Sequence, residues 1–131
     1  MRYKQFVHII LSRTSGVPMY EQIVEQIRSA IYSGGLAPGD PLPSLRQLAR
    51  DLEVSLITTT RAYNDLAAQG LIANQQGRGS FVLPQDPGAT RARLNELLDR
   101  QTNELLATAR LAGLNRESLL DRIDQQWKRT P

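Results

Sequence analysis

The first regular pattern along the chain is an apolar residue at every fourth position. It lies between Pro18 and Gly34, and its members are Met19, Ile23, Ile27 and Ile31. Side chains four residues apart share one face of a helix, so the pattern predicts an amphipathic helix of about four turns that buries this face. Proline suits the first turn of a helix and glycine commonly ends one, which places the two ends of this element.

Two shorter apolar patterns follow, and each is preceded by a serine. Ser44 precedes the first and forms, with Gln47, an S-x-x-Q capping box. Ser55 precedes the second, which ends at Gly70, a residue suited to a left-handed position after a helix. The apolar positions are Leu45, Leu48, Ala49 and Leu52, then Ala62, Tyr63, Leu66 and Ala67. Two helices joined by so short a turn are typical of a helix-turn-helix, whose second helix normally enters the major groove of DNA.

Beyond Gly70 the apolar spacing changes from helical to extended. Residues 71–72 and 81–83 flank the polar segment ANQQGRGS, in which Gly77 and Gly79 surround Arg78. Two extended stretches with a glycine-rich tip predict a β-hairpin. A hairpin directly after a helix-turn-helix is a wing, and its glycines would let Arg78 approach DNA closely. The apolar run at residues 6–11 predicts one further strand.

The pattern becomes helical again after residues 84–88, PQDPG, where two prolines and a glycine indicate a linker. An apolar stripe then runs to Gly113, and Asn115 can cap a last helix. The stripe consists of Leu94, Leu97, Leu98, Leu105, Leu106, Ala109 and Ala112, and the last helix has the face Leu119, Leu120, Ile123 and Trp127. Two helices of this size bury too little surface to be stable alone. We therefore expect them to pack on a second chain or, alternatively, on the first domain.

Composition narrows the function classes without selecting one. The chain has no cysteine and a single histidine, His8, so disulfides and thiol catalysis are excluded and neither a metal site nor a catalytic triad is supported. Its net charge of +3 is mild, so only the placement of arginines can favour nucleic acid. No apolar run approaches the ~20 residues of a membrane span, and no stretch has the form of a signal peptide. We expect a cytoplasmic protein that has no cofactor and is not an enzyme.

Several polar side chains of the helix pair are candidates for DNA contact. Arg46 is favoured as a contact over a solvated helix arginine. Arg61 is expected to reach a phosphate, with capping of the domain surface as the alternative. The run Thr58-Thr59-Thr60 is unusual in a helix, because β-branched residues lose rotamer freedom there. At least one of its hydroxyls is expected to contact DNA, while Thr59 and Tyr63 fit the core.

The chain also resembles a known family over a long stretch. Three segments carry the resemblance: PMYEQIVEQIRSAIYSGGLAPGDPLPSLRQLARDLEVS, TRAYNDLAAQGLI and GRGSFV. They closely resemble the winged-helix domain of the GntR family of bacterial transcription regulators, and the P-x-Y-x-Q-I start and the R-A-Y of the second helix are most similar to its YtrA subfamily. The resemblance covers roughly residues 7–83. The C-terminal helices are similar in size and position to the short dimerisation tail of that subfamily.

This resemblance implies a set of DNA contacts. Arg46 stands at the arginine of the P-S-x-R motif, which contacts the operator. Ser55 and Thr58 stand at hydroxyl residues that reach the DNA backbone, and residues 77–79 stand at the wing tip, which enters the minor groove. One departure concerns base reading, because many members carry arginine or another polar residue where this chain has Leu56, followed by Ile57. Leucine cannot donate to guanine but can contact a thymine methyl group.

Together these observations predict a mainly α fold with a small β-hairpin. A winged helix-turn-helix domain would occupy residues 1–83, a linker 84–88 and a two-helix dimerisation tail 89–131. The expected function is sequence-specific transcription regulation by a repressor that binds a palindromic double-stranded operator as a homodimer, through a recognition helix at about 55–69 and a wing at 72–83. The predicted DNA-binding residues are Arg46, Ser55, Leu56, Ile57, Thr58, Thr60, Arg61, Gly77, Arg78 and Gly79. The predicted dimer interface consists of Leu94, Leu98, Leu105, Leu119, Ile123 and Trp127.

Two questions stay open at this point. The alternative function is a winged-helix protein-interaction module without specific DNA binding. A small-molecule effector of unknown identity is also compatible with the sequence, although a tail of about 44 residues offers little room for a ligand pocket.

Overall fold

A computed structural model describes residues 8–130 of the 131-residue chain. Within these residues the chain forms five helices and one two-stranded antiparallel sheet. In chain order the elements are α1 (Met19–Ser33), α2 (Leu45–Leu52), α3 (Leu56–Ala68), β1 (Ile72–Gln75), β2 (Gly79–Val82), α4 (Pro87–Leu111) and α5 (Arg116–Arg129). A first compact unit extends to Asp86 and a second begins at Pro87. The predicted mainly α fold with a small β-hairpin is confirmed.

The first unit is built around α1 and α3. The predicted stripe of α1 is buried at Ile23, Ile27 and Ile31, and the helix ends at Gly34 in a left-handed conformation with φ of 87°. The core also takes residues from α2, from the hairpin and from the loops, and its members include Leu36, Leu42, Leu48, Ala62, Tyr63, Leu66, Leu71, Ile72 and Val82. This core supports α3 from one side and leaves its other side exposed.

The strand predicted for the apolar run at residues 6–11 is wrong for residues 8–11, which belong to no strand; residues 6 and 7 lie outside the described part. Two glutamines of α1 bond this segment instead. Gln26 Oε1 accepts the Ile10 amide at 2.9 Å, and Gln26 Nε2 donates to the Ile10 carbonyl at 2.8 Å. Gln22 makes the same pair of bonds to the backbone of Ser12, at 2.7 and 2.8 Å. Side-chain amides thus replace the neighbouring strand that a ladder would need.

The predicted hairpin is present, with Ile72 opposite Val82 and Gln75 opposite Gly79. Its second strand also bonds the segment before α2. The Gly39 amide donates to the Val82 carbonyl at 2.7 Å, the Val82 amide to the Asp40 carbonyl at 2.9 Å, and the Leu42 amide to the Ser80 carbonyl at 2.9 Å. The segment at residues 39–42 is therefore paired with β2, and it ties the wing to the start of α2.

The second unit is a pair of helices. Helix α4 begins at Pro87, so the last two residues of the predicted 84–88 linker are helical. Asn115 caps α5 as predicted, with Asn115 Oδ1 accepting the Ser118 amide at 2.9 Å. Ala109 and Leu119 are buried in this unit, whereas most of its large apolar side chains are exposed and Trp127 is 80% exposed.

Candidate nucleic-acid interface

Both helices of the helix-turn-helix begin at a serine cap, as predicted. Ser44 Oγ accepts the Gln47 amide at 3.1 Å, and Ser55 Oγ accepts the Thr58 amide at 3.1 Å. Each bond satisfies one of the amides that the first turn of a helix leaves without an intrahelical partner. The caps fix where α2 and α3 start, and thereby where the side chains of their first turns lie.

The second half of the capping box predicted at α2 is not formed. Gln47 Nε2 donates to Asp51 Oδ1 at 2.7 Å, and Gln47 Oε1 accepts Arg50 Nη2 at 3.3 Å. Both partners lie further along the same helix, so the amide group of Gln47 is turned away from the backbone amide of Ser44.

The turn between α2 and α3 is fixed at Glu53. Its φ of 55° is left-handed, which is uncommon for a residue with a side chain. Its amide bonds the carbonyls of Ala49 and Arg50, and Arg13 Nη2 donates to its carbonyl at 3.0 Å. The segment before α1 therefore braces the turn that sets the angle between the two helices.

The recognition helix α3 has one buried and one exposed face. The buried residues are Thr59, Ala62, Tyr63 and Leu66. At the start of the exposed face stand two apolar residues, Leu56 at 38% and Ile57 at 81% exposure. The first turn of a recognition helix is the part that contacts base edges in a helix-turn-helix. An apolar surface at this place can contact thymine methyl groups but cannot donate a hydrogen bond to a base.

The hydroxyl groups of the predicted contact residues on α3 already have local partners. Ser55 Oγ and Thr58 Oγ1 lie 2.8 Å apart, with one hydroxyl donating to the other, and Thr60 Oγ1 donates to the Leu56 carbonyl at 2.7 Å. A hydroxyl has one proton to donate. Thr60 must therefore exchange its bond to Leu56 before it can donate to a phosphate.

The structure places Arg61 over the ring of Tyr20 on α1, with its guanidinium carbon 3.8 Å from the ring centre. This is cation–π geometry, and it matches the surface-capping role that the sequence left open for Arg61. Partial burial and the hydrogen bond from Tyr20 Oη to Glu21 raise the pKa of the Tyr20 hydroxyl, while the nearby Arg61 lowers it. The ring under Arg61 thus stays neutral at physiological pH.

Helix α3, the start of α2 and the wing enclose an open cleft of about 630 Å³. Arg46 lines it from α2, and Gly77 and Gly79 line it from the wing, with φ of 82° and 88°. An L-residue with a side chain is strained in this conformation, which explains glycine on both sides of the exposed Arg78. The cleft brings together Arg46, Leu56, Thr60 and the wing tip, all of them predicted contact residues.

Four side-chain amides at this cleft were not among the predicted residues. Asn64 lines it from α3, and Asn74, Gln75 and Gln76 line it from the wing; all four are exposed. Leu56, Thr60 and Asn64 are each four residues apart and form one stripe of α3. That spacing is visible in the sequence, but only the position of the wing shows which stripe faces the cleft.

In the second unit, the predicted dimer residues differ in exposure. Leu94, Leu98, Leu105, Ile123 and Trp127 are exposed in the single chain, whereas Leu119 is buried. Leu105, Leu119, Ile123 and Trp127 line a shared apolar groove of about 450 Å³.

Comparison with known proteins agrees with this geometry. Residues 19–82 match the family described as bacterial regulatory proteins, gntR family. The chain is 31% identical over 111 residues to the HTH-type transcriptional repressor YtrA of Bacillus subtilis, which covers 85% of each chain. The chain belongs to the GntR family.

Two solved structures extend the match. The structure of YtrA from Sulfolobus acidocaldarius, a GntR-family transcription factor, is 37% identical with a TM-score of 0.60 and covers 72% of this chain and 97% of that one. The structure of AraR(DBD) in complex with operator ORX1 is 30% identical with a TM-score of 0.52 and covers 60% of this chain and 99% of that one. The winged helix-turn-helix and the similarity to YtrA are thereby confirmed, and the chain is a DNA-binding transcription regulator of the GntR family.

Two other kinds of site are absent from residues 8–130. No group of three or more histidine, cysteine, aspartate or glutamate side chains in residues 8–130 could hold a metal ion. No helix in the same range is long and apolar enough to cross a membrane.

Proposed function

We propose that this GntR-family regulator is a cytoplasmic repressor that binds a palindromic operator as a homodimer. One observation carries the proposal. Four of the six arginines among residues 8–86 have partners within the chain: Arg13, Arg28, Arg50 and Arg61. Within this range, Arg46 and Arg78 are the arginines without a side-chain partner. A guanidinium has five donors and no acceptor, and it binds phosphate well.

The position of these two arginines fits a DNA duplex. Arg46 lines the cleft from α2, and Arg78 stands between the two glycines that line it from the wing. With α3 in the major groove and the wing tip of residues 77–79 in the adjacent minor groove, the phosphate backbone between the grooves would lie along the cleft. Ser55, Thr58, Thr60 and Arg61 would contact phosphates beside it, which fixes the register of the protein on the duplex.

Base recognition in this proposal rests on apolar contacts. Leu56 and Ile57 form the exposed start of α3 and would lie against thymine methyl groups. Neither residue can form the two parallel hydrogen bonds by which arginine reads guanine. Part of the specificity would therefore come from the shape and deformability of the operator, which depend on its sequence.

The second unit would join two chains into a dimer with two-fold symmetry. Its exposed apolar residues, Leu94, Leu98, Leu105, Ile123 and Trp127, would pack on the same residues of a second chain, with Leu119 supporting them from below. A two-fold dimer places two recognition helices about one helical turn of DNA apart, which matches a palindrome. Repression would follow from occupancy of the operator; the relative from Bacillus subtilis is named a transcriptional repressor.

Selection of bound sequences from random DNA with the purified chain tests the proposal. We expect enrichment of an inverted repeat whose half-sites lie about 10 base pairs apart, the repeat of the double helix. Failure to enrich any sequence, with binding that is also insensitive to salt, would refute the proposal and favour a winged-helix protein-interaction module. Enrichment of a single, unrepeated half-site would refute the dimeric mode alone.

A further inference from the structure

Two buried hydroxyl groups of α3 bond the backbone at the start of α2. Tyr63 Oη donates to the Pro43 carbonyl at 2.7 Å, and Thr59 Oγ1 donates to the Leu45 carbonyl at 3.0 Å. Thr59 and Tyr63 are completely or almost completely buried, at 0% and 1% exposure. They lie one turn apart on the inner face of α3, and their acceptors are the two neighbours of the cap residue Ser44.

Thr59 Oγ1 has one proton and two carbonyl acceptors within reach, Leu45 at 3.0 Å and Leu56 of its own helix at 3.1 Å. The Leu45 carbonyl is the nearer of the two. The Pro43 carbonyl, which accepts the Tyr63 hydroxyl, belongs to a residue whose side chain is fully buried. A buried carbonyl that loses its donor is costly, because no water replaces the bond.

These bonds differ in kind from the apolar contacts between α2 and α3. Apolar packing is non-directional, so it would tolerate a small sliding or rotation of α2 along α3. Hydrogen bonds require a narrow range of distance and angle. The two bonds therefore fix Pro43 and Leu45, the residues on either side of Ser44, at one position along the recognition helix. Arg46 is the residue directly after Leu45, so its position depends on that register.

We infer that Thr59 and Tyr63 are positioning residues for DNA binding, which place Arg46 relative to Leu56 and Ile57 without touching DNA themselves. The inference rests on the proposed function. Its physical basis is that a small displacement of the base of a long arginine is enough to misalign its hydrogen bonds to a phosphate.

The test uses Thr59→Val and Tyr63→Phe, which remove the hydroxyls and keep the shapes. Affinity for the selected operator is measured for each variant in the wild-type and the Arg46→Ala backgrounds, at low salt so that all forms bind. We expect each variant to lower affinity about five- to ten-fold in the wild-type background, the factor for one lost hydrogen bond. In the Arg46→Ala background the loss should fall below about two-fold, because the side chain that the bonds position is absent.

Two control variants separate positioning from general destabilisation. Tyr32→Phe makes the same chemical change on α1, where Tyr32 packs against the core outside the cleft. Ile27→Val opens a small cavity in the fully buried face of α1 and lowers the melting temperature. Both controls should bind the operator within about two-fold of wild type. A loss in Ile27→Val equal to that in Thr59→Val would overturn the inference, since instability alone would then explain both.

A second readout needs no DNA. The amides of Gln47 and Leu48 bond the side chain and the carbonyl of Ser44, so their hydrogen exchange reports on the register of the cap. Thr59→Val and Tyr63→Phe should accelerate exchange at these amides more than at the core of α1. Unchanged local exchange, or equal losses of affinity in both backgrounds, would overturn the positioning role while leaving the proposed function standing. If the wild-type chain bound no DNA, the proposed function and the positioning role would both fall, and exchange would still show whether the bonds fix the cap.

Discussion

At the scale of single residues, Arg46 carries the clearest expectation. Replacing it with alanine should lower operator affinity about ten-fold or more, since hydrogen bonds from a charged group contribute roughly 1.5–3 kcal/mol. Arg46 has no side-chain partner among residues 8–130, so the melting temperature should stay unchanged. Fluorescence anisotropy on a labelled operator measures the first quantity and thermal unfolding the second.

The matched control for Arg46 is Arg100→Ala. Arg100 is exposed on α4 and its loss changes the net charge by the same amount. If both variants lost the same affinity, the effect of Arg46 would be one of total charge, and its assignment as a direct contact would be wrong.

Ile57 gives a second prediction at this scale. Replacing thymine by uracil in the selected operator removes only the methyl groups. Each lost methyl contact should cost wild-type binding about 0.8 kcal/mol, or roughly four-fold. The Ile57→Ala variant should bind thymine and uracil operators nearly equally, because it lacks the side chain that is 81% exposed in the free protein. Equal sensitivity of both proteins to uracil would show that Ile57 does not read the methyl group.

At the scale of elements, variants of the α3 cap residue Ser55 distinguish an effect on stability from an effect on DNA binding. Ser55→Ala removes the cap bond and should lower stability by about 1 kcal/mol. Ser55→Asp keeps a capping oxygen and places a negative charge at the positive end of the helix, so stability should be preserved. The same carboxylate would repel DNA phosphates, and operator affinity should fall. Thermal unfolding measures the stability of the wild type, Ser55→Ala and Ser55→Asp, and fluorescence anisotropy measures their operator affinity. Undiminished affinity in Ser55→Asp would exclude Ser55 from the phosphate contacts.

The elements themselves were largely predictable from local chemistry. The stripe of α1, the caps Ser44, Ser55 and Asn115, and the glycines at the wing tip all act within a few residues of their own position. Local signals of this kind can be found in a single sequence. The same holds for the exposed start of α3, where two apolar residues follow a cap.

The structural features that the sequence did not predict depend on contacts between residues far apart in the chain. The segment at 39–42 looks like a turn, and only β2, about forty residues later, pairs with it. The run at residues 6–11 looks like a strand, but two glutamines of α1 bond the backbone of Ile10, within the run, and of Ser12, directly after it. Arg61 lies over the ring of Tyr20 on α1, about forty residues earlier in the chain, and no local pattern indicates that contact. Each of these features depends on a tertiary partner and not on local propensity.

At the scale of the whole molecule, dimerisation through the second unit is the proposal to test first. Leu98 is 57% exposed in the single chain and Leu111 is 89% exposed. Leu98→Asp should leave each chain folded but should dissociate the dimer, since a carboxylate would be buried at the interface. Leu111→Asp makes the same change outside the predicted interface and should remain dimeric. Sedimentation velocity at matched concentrations distinguishes the two, and a wild-type chain that sediments as a monomer would rule out the proposed interface.

Loss of the dimer has a consequence for binding. Each monomer would keep its recognition helix and wing but could contact only one half-site at a time. Two linked half-sites bind far more tightly than one, because the second contact is made at a high effective concentration. Leu98→Asp should therefore bind the full operator little better than a half-site.

The measurement that tests the central claim most directly is a titration of wild-type protein against two duplexes across a series of salt concentrations. One duplex carries the selected operator, and the other has one half-site scrambled. We predict two chains per intact operator, at least a hundred-fold weaker binding to the scrambled duplex, and an affinity that falls steeply as salt rises, as expected for several phosphate contacts. Equal affinity for the two duplexes would contradict sequence-specific recognition by a dimer.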